Sequence, residues 1–96
     1  MGTKHQLVEL HRDEIVRIAR SHRATSISLI GSVARNEDTD RSDVDFLVEL
    51  EPNSSLFDLG GIQYDLAELL GVSVDVIERR GLTDRYEDTT EEALPL

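Results

Sequence analysis

An α/β (α+β) fold, a small mixed sheet of about three strands flanked by helices, is predicted by the way periodicity alternates along this 96-residue chain. Helical spacing over residues 4–22 gives way to two short β-branched runs, 26–30 and 43–50. It returns after Ser55 and yields to a third apolar run at 72–77. Period 3.6 alternating with period 2 marks helices and strands that share one layered core. The length fits a single domain over residues 1–96, with a modest core.

In the first helix, Leu7, His11, Ile15, Ile18 and His22 recur at steps of four, four, three and four, with Val8 and Ala19 beside them, so they share a face. His11 reads as a packed or rim histidine, and His5, His11 and His22 lack metal-ligand spacing. Ser26–Ile30 is the first strand. Gly31-Ser32 ends it, and Ser32–Arg35 has room for one helical turn. Asn36–Ser42 is a polar loop, longer than a hairpin needs. Asp43–Leu50 is the second strand, with Val44, Phe46 or Leu47, and Val48 inward, stopped by Glu51-Pro52-Asn53.

The second long helix starts at Ser55, an N-cap, with Asp58 in its first turn and Gly71 as its stop. Its stripe is Leu56, Leu59, Ile62, Leu66, Leu69 and Leu70, while Asp65 and Glu68 face solvent. Gly60-Gly61 costs roughly 1 kcal/mol per glycine relative to Ala. A kink there, or another backbone packed close, would explain the pair. Val72–Ile77 is the third strand. Thr89-Thr90-Glu91-Glu92 has the look of a cap for a last short helix ending near Leu94.

Twenty acidic against ten basic residues give a net charge of −10. Such a surface repels polyanions, and without a basic stripe extended nucleic-acid binding is excluded. There is no cysteine, so disulfides and thiolate metal sites are excluded too. No apolar run approaches the ~20 residues of a membrane span, and no signal-peptide core follows the N-terminus. A cytoplasmic location is the expectation.

The chemistry concentrates between Leu29 and Leu50. If the first two strands pair antiparallel, Gly31-Ser32 and Asp43 meet at the same end of the sheet. Asp43 and Asp45 are two apart on a strand and project to one face. Two close carboxylates do not both ionise cheaply without a cation. Hard oxygen ligands at this spacing suit Mg²⁺ shared with substrate phosphates. Gly31 permits close backbone approach. Ser32 offers a hydroxyl and N–H groups to anionic oxygens. Arg35 is placed either to meet a terminal phosphate bidentately or to pair with Glu37 or Asp38. Asp75, on the third strand, is placed to complete a two-metal site.

Gly31-Ser32, ten residues, Asp43-Val44-Asp45 and the later Asp75 together resemble the signature of the DNA polymerase β-like nucleotidyltransferase superfamily. The wording GSVAR…SDVDFLVE is most like its minimal nucleotidyltransferases, the MNT group. The resemblance spans roughly Leu7 to Glu78. It implies that Ser32 holds a triphosphate, that Asp43 and Asp45 bind two Mg²⁺ ions, and that Asp75 helps activate the acceptor hydroxyl. It further implies an antitoxin that moves AMP from ATP to a tyrosine of a HEPN-domain ribonuclease toxin encoded beside it. Asn36 stands where members often have glycine, and Asn tolerates left-handed backbone well. Two other functions stay open. One is an antitoxin that masks its toxin without catalysis. The other is a small-molecule nucleotidyltransferase, although such enzymes usually carry a second, drug-holding domain.

Overall fold

The computed structural model describes residues 3–39, 41–79 and 93–96. The expected first helix is two segments, α1 (Thr3–Leu10) and α2 (Arg12–Ser21). The break has a local cause. His11 Nδ1 donates to the Leu7 carbonyl at 3.0 Å while its backbone N–H is shared between Leu7 O and Val8 O. The side chain thus competes with the helical ladder, and His11 rests at φ −106°, ψ 18°. The stripe itself holds: Val8, Ile15 and Ala19 are buried, with Leu7 and Ile18 packed at the margin.

β1 (Ala24–Ile30) leads through a single turn, α3 (Gly31–Ala34), and the polar loop to β2 (Val44–Leu50). The two strands are antiparallel, with Ile30 opposite Asp45. α4 (Leu56–Leu70) then crosses over to β3 (Val74–Glu78), which is parallel to β2. Ser55 and Asp58 form a full capping box at the start of α4, and Gly71 ends it in the left-handed region at φ 67°. Ile62, Leu66 and Leu70 are its buried stripe, whereas Leu56, expected inside, is 82 % exposed. Phe57 is exposed beside it, so the first turn of α4 contributes no side chain to the buried core.

The Gly60-Gly61 pair does not break α4, and no backbone lies against it. A Cβ built on Gly61 would fall 2.5 Å from Cε1 of His22, while one on Gly60 would meet nothing within 4 Å. The gap at Gly61 therefore seats the His22 ring, whose Nε2 pairs with Asp65 Oδ2 at 2.8 Å. Asp65 is not the purely solvated residue that its place on the polar face suggested. It ties the end of α2 to the middle of α4.

The sheet has four strands in the order β3-β2-β1-β4. β4 (Leu94–Pro95) pairs with Ser28 and Leu29, and Leu96 N–H donates to Ile27 O at 3.0 Å. Leu94 is therefore extended, not the end of a helix. The expected cap at Thr89–Glu92 lies outside the described residues. α2 packs on β1 and α4 on β3. Between them Ile27, Leu29, Val44, Phe46, Val48, Ile62 and Leu66 make one apolar core, which fixes the strand ends that carry the polar residues. No helix among the described residues is long and apolar enough to cross a membrane.

Candidate functional site

Three strand ends converge at one end of the sheet: the C-terminal end of β1 and the N-terminal ends of β2 and β3. Antiparallel pairing brings Gly31 to the start of β2, as the sequence suggested. The parallel pairing adds what the sequence did not specify. Asp45 and Asp75 are register partners. Register partners on neighbouring strands, ≈ 4.8 Å apart, send their side chains to the same face.

Gly31 sits at φ 77°, a region costly for any residue with a Cβ. A Cβ there would also lie 2.8 Å from Asp45 Oδ2. The Asp45 carboxylate leans on bare glycine backbone, and that space is a cradle only glycine leaves open. Ser32 is half-buried in the turn that follows. The turn is closed by Arg35 N–H to Gly31 O at 3.2 Å and Glu37 N–H to Ser32 O at 2.9 Å. Asn36 takes φ 60°, the left-handed conformation that suits Asn.

Asp43 and Asp75 are exposed, and Asp45 lies half-buried between them. Burial first, then the Asp75 charge, then the Asp43 charge, push the Asp45 carboxyl from the ordinary 3.8 up to about 6. A carboxylate held near two others, in a partly desolvated place, is an electrostatic demand for a cation. Among the described residues, no three acidic or histidine side chains stand close enough to form a ready-made metal cage. Asp43, Asp45 and Asp75 are therefore not gathered into the three-carboxylate metal site that the sequence suggested; Mg²⁺ needs only one or two protein carboxylates, its other positions being water and substrate phosphates, so Asp45 with one neighbour would be enough to hold it. The donor set therefore fits a metal that arrives with a nucleotide.

Arg35 projects from the end of the turn, and its Nε bonds Glu37 Oε2 at 3.1 Å. The structure thus shows it in the ion-pair arrangement, one of the two that its position allowed. A recess of about 200 Å³ beside Asp43 is lined by Lys4, Arg41, Ser42, Val72 and Ser73. It is smaller than the ≈ 300–1,000 Å³ of an enclosing ligand site, and Gly31, Ser32, Asp45 and Asp75 do not line it. Sequence reasoning passed over Asp38, which is 4 % exposed in the middle of the polar loop. Its Oδ1 is buried with no hydrogen-bond partner among the described residues. Nothing local distinguishes it from Glu37 or Asp40. Only the docking of α1 against the loop makes it special.

Comparison with known proteins identifies the fold and the family. A candidate protein adenylyltransferase of Methanocaldococcus jannaschii is 44 % identical over 64 residues, covering 67 % of this chain and 69 % of that one. The solved structure of a candidate minimal nucleotidyltransferase superposes with a TM-score of 0.86 at 35 % identity, covering 96 % of this chain and 95 % of that chain. A chain from the complex of a tri-AMPylated Shewanella oneidensis HEPN toxin with an MNT antitoxin shares the fold, with a TM-score of 0.69 at 18 % identity. That match covers 91 % of this chain and 69 % of that one. The nucleotidyltransferase domain pattern itself matches residues 11–96, nearly the whole length and every strand end described above, so this chain belongs to the nucleotidyltransferase domain family.

Proposed function

We propose that this protein transfers AMP from Mg-ATP to a hydroxyl, a tyrosine for preference, of a partner HEPN-domain toxin, and so acts as an antitoxin. The observation that carries the reading is the in-register placement of Asp45 and Asp75 with bare Gly31 backbone against the Asp45 carboxylate. In this reading Gly31 and Ser32 hold the triphosphate through close backbone approach, N–H groups and the Ser32 hydroxyl. Asp43 and Asp45 hold the divalent cations, two in number, and Asp75 is a third ligand. Bound there, the metals would neutralise charge on the attacking and leaving oxygens of an in-line displacement.

The acceptor oxygen bonds to the α-phosphorus as its proton passes by way of Asp75 to solvent, the bond to the β-phosphate bridge breaks, and pyrophosphate leaves. Asp75 orients the acceptor hydroxyl by accepting its hydrogen bond. An ordinary carboxylate, with a pKa near ~4, is a weak base on its own. Arg35 joins the phosphates by exchanging its Glu37 partner for them.

A protein acceptor is supported by what surrounds the site. A chain of 96 residues has little room for a separate substrate platform, which suits an acceptor that brings its own docking surface. Phe57 and Tyr64 stand exposed along α4, as side chains at protein contacts do. The strongly acidic chain gives no purchase to a polynucleotide. The HEPN partner comes from the structural neighbour, whose toxin carries AMP.

The test is intact-mass analysis of a HEPN protein from the same genome after incubation with this protein and Mg-ATP. Whole AMP units should appear on the toxin. A stable complex with no mass gain would replace transfer with masking as the antitoxin mechanism.

A further inference from the structure

The first turn of α1 touches both halves of the site. Lys4 Nζ donates to Thr39 O at 3.0 Å and, more closely, to Ser42 O. These residues bracket the last turn before Asp43. That turn is also closed on itself, by Ser42 N–H to Thr39 O at 3.0 Å and Thr39 N–H to Ser42 Oγ at 2.9 Å. The backbone N–H of Lys4 donates to Oδ2 of buried Asp38 at 3.3 Å. One residue on, His5 Nδ1 donates to Val33 O at 2.9 Å, and Val33 follows Ser32 in α3. Two consecutive residues therefore grip the phosphate-side turn and the loop that delivers Asp43.

The arrangement is strong where it matters. An ammonium shared by two carbonyls makes charge-assisted bonds, roughly twice the strength of neutral ones. Its donors fix the backbone of a polar loop that has no strand partner. Asp38 caps the first turn of α1, where a negative charge is favoured, so loop and helix hold each other. The domain pattern shared with the family begins at residue 11, so Lys4 and His5 lie before it while the backbone they hold lies within it.

We propose that Lys4 is a positioning residue for the transfer reaction: together with His5 it sets the spacing between the Gly31-Ser32 turn and Asp43. The kinetic consequence rests on the function proposed above, whereas the structural consequence does not.

Lys4→Met and Lys4→Arg, each in the full chain, separate the two. In Lys4→Met, amide hydrogen exchange at residues 39 and 42 should quicken about tenfold or more, with α2 and α4 unchanged. AMP transfer should fall in kcat by roughly tenfold to a hundredfold, as for a small misplacement of reacting groups. The KM for the acceptor should hardly move. Lys4→Arg, which keeps a cation on a long stem, should recover most of both. Exchange at 39 and 42 as in the wild type would overturn the proposal. So would a transfer loss that follows a general fall in Tm and is not recovered by arginine. Should the wild type transfer no AMP, the function proposed above fails, and the exchange reading alone still decides the clamp. If Lys4→Met does not fold, Lys4→Gln takes its place in both readings.

Discussion

Asp45→Asn is expected to remove AMP transfer and, in metal-free buffer near neutral pH, to raise the melting temperature. The two effects share one cause. The Asp45 carboxyl is raised from 3.8 to about 6 by burial and by the Asp75 and Asp43 charges, so the fold favours its neutral form. A raised carboxyl contributes stability that is complete below about 3.8 and is lost as pH rises through about 6. At pH 7.5 the ionised group is therefore a burden, and asparagine, of the same shape, does not carry it. A shift of this size, discounted by about half for the solvent that reaches a half-exposed group, amounts to about 1.5 kcal/mol. That is roughly 6–12 °C in Tm for a domain of this length. The advantage should vanish in melts at pH 3.5, where both side chains are neutral. Transfer should fall by about 10³-fold, the upper end for losing one preorganised charge-stabilising group. A variant that melts below the wild type at pH 7.5 would show that Asp45 is a structural residue.

Gly31→Ala carries the second large effect, and here stability and activity fall together. Alanine at φ 77° is strained whatever the space around it, at about 1–3 kcal/mol. The new methyl would also sit 2.8 Å from Asp45 Oδ2. The carboxylate is the free end of a side chain, so it moves aside at little cost to the fold. Most of the lost stability, some 10 °C in Tm, therefore comes from the backbone. The displaced carboxylate is what costs activity, about 10²-fold for a shift near 1 Å. Melting curves and transfer rates on the same preparation check both parts. A Gly31→Ala variant with wild-type Tm would remove the left-handed turn from the explanation. Unchanged activity would remove the cradle.

Much of this site was legible in the sequence because its parts are local. Gly31-Ser32, the Asp43-Val44-Asp45 alternation and the Ser55 cap with Asp58 each announce themselves within four residues; the Ser55–Asp58 capping box is present, whereas β2 begins at Val44 and leaves Asp43 just before the strand that was expected to include it. Antiparallel pairing of the first two strands entered the sequence reading as a condition, and the structure meets it. What escaped depends on contacts distant in sequence or on bonds that periodicity does not register. The Asp45–Asp75 register needs the parallel crossover through α4. The break at His11 comes from a ring N–H competing for Leu7 O, which leaves the apolar stripe intact and so is invisible to it. His22 fills the space at Gly61 from 39 residues away in sequence, where a kink or a close backbone was expected. The Lys4 and Asp38 contacts join α1 to a loop more than 30 residues on, and neither residue belongs to a motif.

The most direct test of the site is Mn²⁺ binding in the presence of a non-hydrolysable ATP analogue, read from the free Mn²⁺ resonance for wild type and Asp45→Asn at pH 7.5 and pH 5. With its carboxyl at about 6, Asp45 is almost wholly ionised at the higher pH and about one-tenth ionised at the lower. The wild type should bind Mn²⁺ far more tightly than Asp45→Asn at pH 7.5, and that advantage should shrink about tenfold at pH 5. The nucleotide's own titration is common to both proteins and cancels in the ratio. Equal Mn²⁺ affinity for the two proteins at pH 7.5 would contradict a metal–nucleotide site centred on Asp45.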